Sequence, residues 1–335
     1  MKRAIVHMGM PKTATTSFQN AVYEHRHTLF DRHRILYPAV GANHTNTLCP
    51  MFLPDPRSHI SVKMMGITTP EQAERFVSNC FEKMEAELSI GGWDTLVLSA
   101  EGLANLHTGA LRDLRSWLDG FVDEIEVIYW LRHPVSFTVS VIQQMLKGGE
   151  TIDDMIDRML PLSNYQRRLE NAIAAFGAEA MRIYRFEDCI QHPNGPVGAF
   201  CEQIYVPWET ANTIIDSATV ENESMSMLCG YTLDALNRLV PMFKDGVFNP
   251  LRQNGELAKL LTIKGPRFAL DYENTRRIRE ASRPEIAWLR DKCGLDFYPD
   301  MLVDEFAHPE SVQIPDRETT ESLALLLSDL HNSKK

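Results

Sequence analysis

The residues with the most evident chemical potential lie close together near the start of the chain. Residues 7–17 read HMGMPKTATTS and place one lysine, Lys12, among several hydroxyl side chains. The hydroxyls belong to Thr13, Thr15, Thr16 and Ser17. A short apolar run precedes this stretch and a helical pattern follows it, so backbone N–H groups and the positive end of a helix dipole face a ligand there. Together these groups predict a binding site for a phosphate-like anion.

The same stretch agrees only in part with the ATP-binding P-loop, GxxxxGK[ST]. Gly9 takes the first glycine position, but Ala14 takes the second and Thr15 takes the place of the lysine. The lysine stands three residues earlier, at Lys12. The pattern therefore disfavours an ordinary ATP site. A helix start without any ligand is the alternative, but it gives no role to Lys12.

The segment PKTATTS resembles the loop that binds the 5′-phosphosulfate in sulfotransferases that use 3′-phosphoadenosine 5′-phosphosulfate (PAPS), where the usual pattern is PK[ST]G[ST][ST]. The resemblance implies that the sulfuryl end of PAPS is bound by Pro11, Lys12, Thr13, Ala14, Thr15, Thr16 and Ser17. In this family the loop lysine stabilises negative charge on the leaving phosphate oxygen, and this is the role implied for Lys12. Ala14 stands where the family has glycine, and because alanine carries a Cβ we expect a φ below zero there.

A second candidate anion site follows the apolar run EVIYWL, residues 126–131. Arg132 comes directly after this run, Pro134 suits the first turn of a helix, and Ser140 stands eight residues after Arg132. The PAPS-dependent family binds the 3′-phosphate of the donor with an arginine at a strand end and a serine eight residues further on, and Arg132 and Ser140 match that pattern. Such a pair distinguishes PAPS from ATP, which has no 3′-phosphate. An ordinary surface arginine is the alternative.

Transfer of a sulfuryl group also needs a base for the acceptor proton. Glu101 follows the run TLVLS, residues 95–99, and is expected at the carboxyl edge of the sheet, near the lysine loop. Its surroundings, SAEGL, resemble the S-x-E-x-L pattern of bacterial sulfotransferases, and family members that act on carbohydrates or tyrosine use a glutamate as base. His44, in the polar segment GANHTN, is the second candidate. The alternatives are a glutamate that only caps the next turn and a histidine that is merely exposed.

Three further segments resemble parts of the same family. Residues 186–188 (FED) resemble the family's Y-E-D segment, whose aromatic ring contacts adenine, so Phe186 is a candidate to stack on the donor base. An ordinary core position is the alternative for this ring. Residues 222–224 (NES) resemble a segment that is frequent in bacterial members, without an assigned role. Residues 264–267 (KGPR) are a candidate substitute for the family's glycine-rich C-terminal loop.

The elements that must position these residues alternate between strand and helix. Apolar runs typical of buried strands cover residues 4–7, 95–99, 126–131 and 181–186. Helical spacing occurs over residues 16–30, 71–88, 110–121, 135–147 and 197–204. This alternation predicts an α/β fold with a P-loop-like parallel sheet flanked by helices. Because ligands bind at the carboxyl ends of parallel strands, the residues that follow each strand are the candidates for chemistry.

The whole chain is predicted to form one domain over residues 1–335. A nucleotide-binding α/β core is expected over 1–210 and a mostly helical C-terminal elaboration over 211–335. No apolar stretch reaches the roughly 18 residues of a membrane-spanning helix, and the first apolar run is too short for a signal peptide. The six scattered cysteines lack metal-site spacing and indicate free thiols. We therefore expect a cytoplasmic protein.

The formal net charge of −11 disfavours a nucleic-acid partner, and no metal-binding motif is present, so no metal cofactor is expected. The leading hypothesis is a PAPS-dependent sulfotransferase that acts on a hydroxyl or amine of a small molecule or glycan. The two rivals are an ATP-dependent small-molecule kinase of the P-loop class and a non-catalytic nucleotide-binding scaffold. The sequence makes no prediction of the oligomeric state.

Overall fold

The computed structural model describes residues 1–161, 163–218, 225–244, 247–249, 251–252, 254–297 and 314–332. The chain forms two compact units. The first comprises Met1–Arg132 and Tyr165–Glu221, and the second comprises His133–Asn164 and Asn222–Lys335. The candidate residues Lys12, Glu101 and Arg132 all belong to the first unit.

A five-stranded parallel sheet forms the centre of the first unit. Its spatial order is β2 (Ile35–Leu36), β3 (Thr95–Ser99), β1 (Arg3–His7), β4 (Glu124–Leu131) and β5 (Met181–Arg185). The predicted α/β fold with a parallel sheet is confirmed. From β1 the chain builds the sheet first on one side, through β2 and β3, and later on the other, through β4 and β5. The order of the strands therefore reverses beside β1, which is where parallel sheets bind ligands.

Helices flank this sheet and form most of the second unit. In chain order they are α1 (Thr15–Glu24), α2 (Arg26–His33), α3 (Thr45–Phe52), α4 (Ile60–Met64), α5 (Pro70–Leu88), α6 (Thr108–Leu118), α7 (Pro134–Lys147), α8 (Ile152–Met159), α9 (Tyr165–Phe176), α10 (Phe186–Gln191), α11 (Gly195–Gln203), α12 (Trp208–Ser217), α13 (Met227–Leu239), α14 (Asn254–Leu260), α15 (Tyr272–Cys293) and α16 (Arg317–Asn332). Short 3₁₀ helices cover Pro56–Ser58, Glu101–Asn105 and Ala178–Ala180.

Burial on both faces explains why the strands read as continuous apolar runs. Ile5, Val97 and Ile128, from three neighbouring strands, belong to one buried cluster. Phe18 of α1 and Phe200 of α11 stack in the same cluster, with ring centroids 4.0 Å apart. Full burial of one such side chain contributes about 1.5–3 kcal/mol. This cluster fixes α1, and with it the loop that precedes α1, against the sheet.

Residues 16–30, predicted from their spacing to be helical, are helical except for His25, where the helix divides in two. His25, between α1 and α2, has φ −93° and ψ 8° and caps both helices. Hydrophobic periodicity does not reveal a single non-helical residue. Strand β2 was not predicted, because two residues are too few to form a recognisable pattern.

The second unit is mostly helical. It contains α7, α8 and α13–α16, together with an antiparallel pair of short strands, β6 (Phe243–Lys244) and β7 (Val247–Phe248). Its apolar cluster includes Ile142, Leu146 and Leu236. The division differs from the predicted boundary after residue 210, since α12 lies in the first unit and residues 133–164 lie in the second. That both units form one functional domain stays a prediction, and residues 222–224 lie outside the described residues.

Three properties of the described residues bear on the expected class of protein. Among them, no helix has both the length and the apolar character needed to cross a membrane. Within the same ranges, no group of three or more His, Cys, Asp or Glu side chains is arranged to hold a metal ion. The six cysteines, all in the described part of the chain, are free thiols.

Candidate functional site

The candidate site is formed by the segments that follow three neighbouring strands. In the sheet, β1 lies between β3 and β4, with His7 of β1 paired with Ser99 of β3 and Ile128 of β4. The lysine loop follows β1 directly, Glu101 comes two residues after Ser99, and Arg132 comes four residues after Ile128. The parallel direction of the strands places all three segments at one edge of the sheet.

The loop between β1 and α1 has an unusual backbone. Lys12 has φ +68° and Ala14 has φ +56°, while Thr13 between them does not have a positive φ. Two left-handed residues without glycine cost roughly 1–2 kcal/mol each. The expectation that alanine requires a negative φ at position 14 was therefore wrong, because the surrounding fold imposes the glycine-like conformation. When residues with positive and negative φ alternate, neighbouring backbone N–H groups turn toward one side of the chain, an arrangement that suits an anion.

Two contacts hold this loop close to the end of β1. The Thr13 hydroxyl is fully buried and donates to the carbonyl of Met10, at 2.6 Å. Gly9 lies against the ring of His7, and a Cβ at Gly9 would stand 2.3 Å from His7 Cε1. Only glycine allows this close approach. The first glycine of the P-loop-like pattern is therefore required by packing against β1.

Arg132 contacts the lysine loop directly. Its Nη1 donates to the carbonyl oxygen of Lys12, at 3.0 Å. The backbone of Arg132 is fixed from the other side, since the hydroxyl of Tyr165 donates to the Arg132 carbonyl at 2.7 Å. The guanidinium carbon lies 5.8 Å from the ring centroid of Phe186. Arg132, from the second predicted anion site, thus contacts the backbone of the loop that forms the first.

Glu101 lies next to the same loop. Its Oε1 accepts a hydrogen bond from the hydroxyl of Thr15 at 2.9 Å and a longer one from Nδ2 of Asn43 at 3.4 Å. Burial raises the pKa of Glu101, while the Thr15 hydrogen bond and the positive charge of Lys12 act in the opposite direction. A carboxyl with a raised pKa beside a lysine is suited to exchange a proton with a ligand at this edge.

His44 does not face this site. It is fully buried, and both of its ring nitrogens are engaged by backbone groups. Nδ1 accepts from the N–H of Ser99 at 3.1 Å, so the other nitrogen carries the proton and donates to the carbonyl of Pro38 at 3.2 Å. Burial lowers the pKa of His44 to about 4. These contacts give His44 a structural role in joining the GANHTN segment to β3, and the identity of the base stays a prediction.

Three buried polar side chains beneath the loop, His7, Gln19 and Ser99, connect β1, α1 and β3. The Ser99 hydroxyl is 2.9 Å from Nδ1 of His7 and accepts from Nε2 of Gln19 at 2.8 Å. Burial lowers the pKa of His7 to about 3, so the ring is neutral at physiological pH. The rings of Phe18 and Trp130 pack against it edge to face. His7 therefore supports the loop from below as a neutral group.

The remaining loop positions differ in exposure. Pro11 is half-buried, Thr16 is exposed and Ser17 is buried. The hydroxyl of Thr16 is therefore more open to a ligand than that of Ser17. The backbone N–H of Ser17 bonds to the carbonyl of Ala14 at 3.2 Å and belongs to the first turn of α1. No side chain caps the start of α1 at Ala14. The free N–H groups of this turn therefore add to the anion-binding character of the loop.

The other two residues predicted to bind PAPS, Phe186 and Ser140, lie in different environments. Phe186 is 5% exposed and packs in the core of the first unit, with its ring centroid 6.1 Å from that of Trp130. The geometry favours the core position for this ring, and stacking on adenine stays a prediction. Ser140 lies on α7, in the second unit. Its pairing with Arg132 around one phosphate likewise stays a prediction, as does a role for residues 264–267.

Sequence reasoning missed three residues that contact the site. Asn43 approaches Glu101, Tyr165 holds the backbone of Arg132, and Arg168 donates from Nη1 to Sδ of Met10 at 3.3 Å. Asn43 is the immediate neighbour of His44, in the polar segment that the sequence analysis identified. The other two belong to α9, whose buried Tyr165, Leu169 and Phe176 recur at helical spacing, a signal that the sequence analysis did not use.

Comparison with known proteins gives fold-level similarity only. No protein-family model matches the sequence, and no curated protein sequence is significantly similar to it. Among solved structures, a sulfotransferase from Alicyclobacillus acidocaldarius is 13% identical, with a TM-score of 0.40 over 72% of this chain and 95% of that chain. The sulfotransferase domain from the curacin biosynthetic pathway is also 13% identical, with a TM-score of 0.35 over 84% of this chain and 98% of that chain. The function proposed below depends on the residues of the chain itself.

Proposed function

We propose that this protein is a sulfotransferase that transfers a sulfuryl group from PAPS to a hydroxyl or amine of an acceptor. The observation that carries the proposal is the contact between Arg132 and the Lys12 loop, with Glu101 held beside that loop by Thr15. A nucleotide with an anionic group at each end gives a function to both cationic side chains. A carboxyl with a raised pKa at the same edge gives the acceptor proton a destination.

The loop supplies the chemistry that the sulfuryl donor requires. Its backbone N–H groups and the exposed hydroxyl of Thr16 bind the 5′-phosphosulfate, and Lys12 stabilises the charge that develops on the leaving phosphate oxygen. Arg132, with Ser140, binds the 3′-phosphate that distinguishes the donor from ATP. The sequence departs from the ATP-binding loop at Ala14 and Thr15, and here Thr15 turns its hydroxyl to Glu101.

The transfer itself is a displacement at sulfur. The acceptor oxygen or nitrogen forms a bond to sulfur while the bond from sulfur to the 5′-phosphate oxygen breaks, and 3′,5′-adenosine bisphosphate leaves. Glu101 takes the proton that the acceptor loses. A positioned base of this kind contributes about 10²–10⁴-fold to a reaction rate. A glycan or another hydroxylated metabolite is the proposed acceptor, by resemblance to family members that use a glutamate base.

Ligand-dependent thermal stability tests the proposal. Unfolding is followed with 3′,5′-adenosine bisphosphate and, separately, with ATP and Mg²⁺. A ligand at 100 times its Kd adds about 2.7 kcal/mol to the free energy of unfolding. The proposal predicts stabilisation by the bisphosphate at lower concentrations than by ATP. Preference for ATP with Mg²⁺ would contradict it and favour a small-molecule kinase.

Turnover separates an enzyme from a nucleotide-binding scaffold. A panel of hydroxylated and amine acceptors, including simple glycans, is incubated with PAPS labelled in its sulfuryl group. Transfer of label to an acceptor that depends on Lys12 supports the proposal. Bisphosphate binding without transfer to any member of a broad panel favours the scaffold.

A further inference from the structure

Asn43 and Thr15 approach the same oxygen of Glu101 from different elements. Thr15, in the first turn of α1, donates its hydroxyl hydrogen to Oε1 at 2.9 Å. Asn43, just before α3, places Nδ2 at 3.4 Å from the same atom. Within the described part of the chain, no hydrogen bond reaches Oε2. The two oxygens of this carboxyl therefore have different surroundings.

The orientation of the Asn43 amide follows from its other contact. Its Oδ1 accepts from the backbone N–H of Thr45 at 2.9 Å, and only the amide oxygen is able to accept there. The amide nitrogen must then face Glu101. The segment 43–45 also contacts the backbone next to Glu101, since the Thr45 hydroxyl accepts a hydrogen bond from the N–H of Gly102 at 3.1 Å. Asn43 is thereby fixed relative to Glu101 by backbone contacts on both sides.

We propose that Asn43 is a positioning residue that, with Thr15, occupies Oε1 of Glu101 and leaves Oε2 as the atom that takes the acceptor proton. This inference depends on the proposed function. In the transfer step, the acceptor O–H or N–H bond breaks, its electron pair forms the bond to sulfur, and the proton moves to Oε2. Because a rotation of the carboxyl would break both contacts to Oε1, the pair of donors keeps Oε2 directed to the acceptor.

Burial raises the pKa of Glu101, and the Thr15 hydrogen bond and the positive charge of Lys12 oppose that shift. The Asn43 amide is a further neutral donor to the same carboxyl oxygen. A donor to the ionised form lowers a carboxyl pKa, so removal of the Asn43 amide raises it. Asn43→Asp keeps the oxygen that accepts from Thr45 but places a second carboxylate beside Glu101. Two like charges at this distance raise the pKa further, so Asp should have the larger effect.

The titration of Glu101 is to be measured by carbon NMR of protein labelled at the glutamate carboxyls. The Glu101 signal is identified by its absence in Glu101→Gln. We expect an upward shift of its midpoint by roughly half a unit to one unit in Asn43→Ala and by at least about one unit in Asn43→Asp. Asn46→Ala, at an exposed position in the first turn of α3, is the matched control and should leave the midpoint unchanged. Asn43→Asp, which preserves the turn, also serves if Asn43→Ala does not fold.

Equal midpoints in wild type and both Asn43 variants overturn the inference, and so does a shift of the same size in the Asn46 control. The pH profile of kcat then tests the link to the reaction, since its acidic limb should move upward with the titration midpoint. A purely structural role for Asn43 predicts lower activity at every pH with no movement of that limb. Shifted titrations in a protein that transfers no sulfuryl group contradict the proposed function and not the positioning of Glu101.

Discussion

The Nη1 atom of Arg132 donates a hydrogen bond to the carbonyl oxygen of Lys12, at 3.0 Å, although the two residues are 120 positions apart in the chain. This contact joins the segments that follow β1 and β4 and places the Arg132 guanidinium against the backbone of the lysine loop, although the sequence assigns the two residues to separate anion sites. The fold places the strands side by side, so residues far apart in the sequence meet at this edge of the sheet.

Lys12→Ala is expected to abolish sulfuryl transfer. The proposed function assigns to Lys12 the positive charge that stabilises the leaving phosphate oxygen, and loss of one such group typically lowers kcat about 10²–10³-fold. The measurement is transfer of labelled sulfuryl from PAPS to the best acceptor. Lys63→Ala, on an exposed position of α4, is the control and should retain full activity. Activity within a few-fold of wild type in Lys12→Ala would remove the lysine from the mechanism.

Glu101→Gln is expected to lower kcat by about 10²–10⁴-fold while affinity for 3′,5′-adenosine bisphosphate changes little. In the wild type, burial raises the pKa of this base, so kcat should fall as the pH decreases through that raised value. The acidic limb of the kcat profile should therefore lie above the pH at which an exposed glutamate titrates. An unchanged kcat in Glu101→Gln would assign the base to another residue.

The same substitution has an expected effect on stability. A carboxyl whose pKa is raised by folding favours the protonated folded state, and this contribution is lost as the pH rises through the folded pKa. At neutral pH the buried carboxylate therefore costs stability. Glu101→Gln keeps an oxygen for the Thr15 hydroxyl and should unfold at a temperature equal to or above that of the wild type at pH 7. A clearly lower unfolding temperature would show that the charged form stabilises the fold.

Arg132→Met is expected to weaken binding of the bisphosphate more than binding of 5′-AMP. The guanidinium is assigned to the 3′-phosphate, which only the bisphosphate carries, and loss of such a charge-assisted contact costs about tenfold or more in affinity. Calorimetric titration of both nucleotides gives the ratio of the two effects. Arg75→Met, at an exposed position of α5, is the control. Ser140→Ala should act in the same direction with a smaller effect. An equal loss for both nucleotides in Arg132→Met would assign the arginine to another part of the ligand.

Ala14→Gly is expected to preserve or increase the free energy of unfolding. Ala14 has φ +56°, and glycine adopts that conformation without the steric cost of a Cβ. The matched control is Ala86→Gly, at an exposed position within α5, where glycine should cost about 1 kcal/mol. Denaturant unfolding of both variants gives the comparison. Equal destabilisation in the two would mean that position 14 is an ordinary helical residue.

Much of the fold could be predicted because buried parallel strands produce apolar runs that end where chemistry begins. The residues after β1, β3 and β4 were identified in this way, and the sheet order brings them to one edge. Strand β2 was not recognised, since two residues form no distinct pattern, and helix α9 was not identified although its buried residues recur at helical spacing. The left-handed backbone at Ala14 was excluded by a steric rule that the packing of the loop overrides.

The choice between the two candidate bases illustrates the limit of sequence reasoning at the site. Glu101 follows a buried strand and His44 lies in a polar segment, and the types of their neighbours do not reveal which of the two side chains is buried in the core. The contacts of the buried His44 ring with Ser99 and Pro38 become visible only in the folded backbone. The contact of Asn43, one residue earlier, with Glu101 is likewise a tertiary contact that the sequence does not reveal.

The central claim is that the Lys12 loop and Arg132 bind opposite ends of a single nucleotide. Titration calorimetry of the wild-type protein with 5′-AMP, 3′-AMP and 3′,5′-adenosine bisphosphate tests it most directly. The account predicts that the bisphosphate binds at least about tenfold more tightly than either monophosphate, because each phosphate adds charge-assisted hydrogen bonds. Equal affinity for the bisphosphate and one monophosphate would mean that only one anion site operates and would contradict the account.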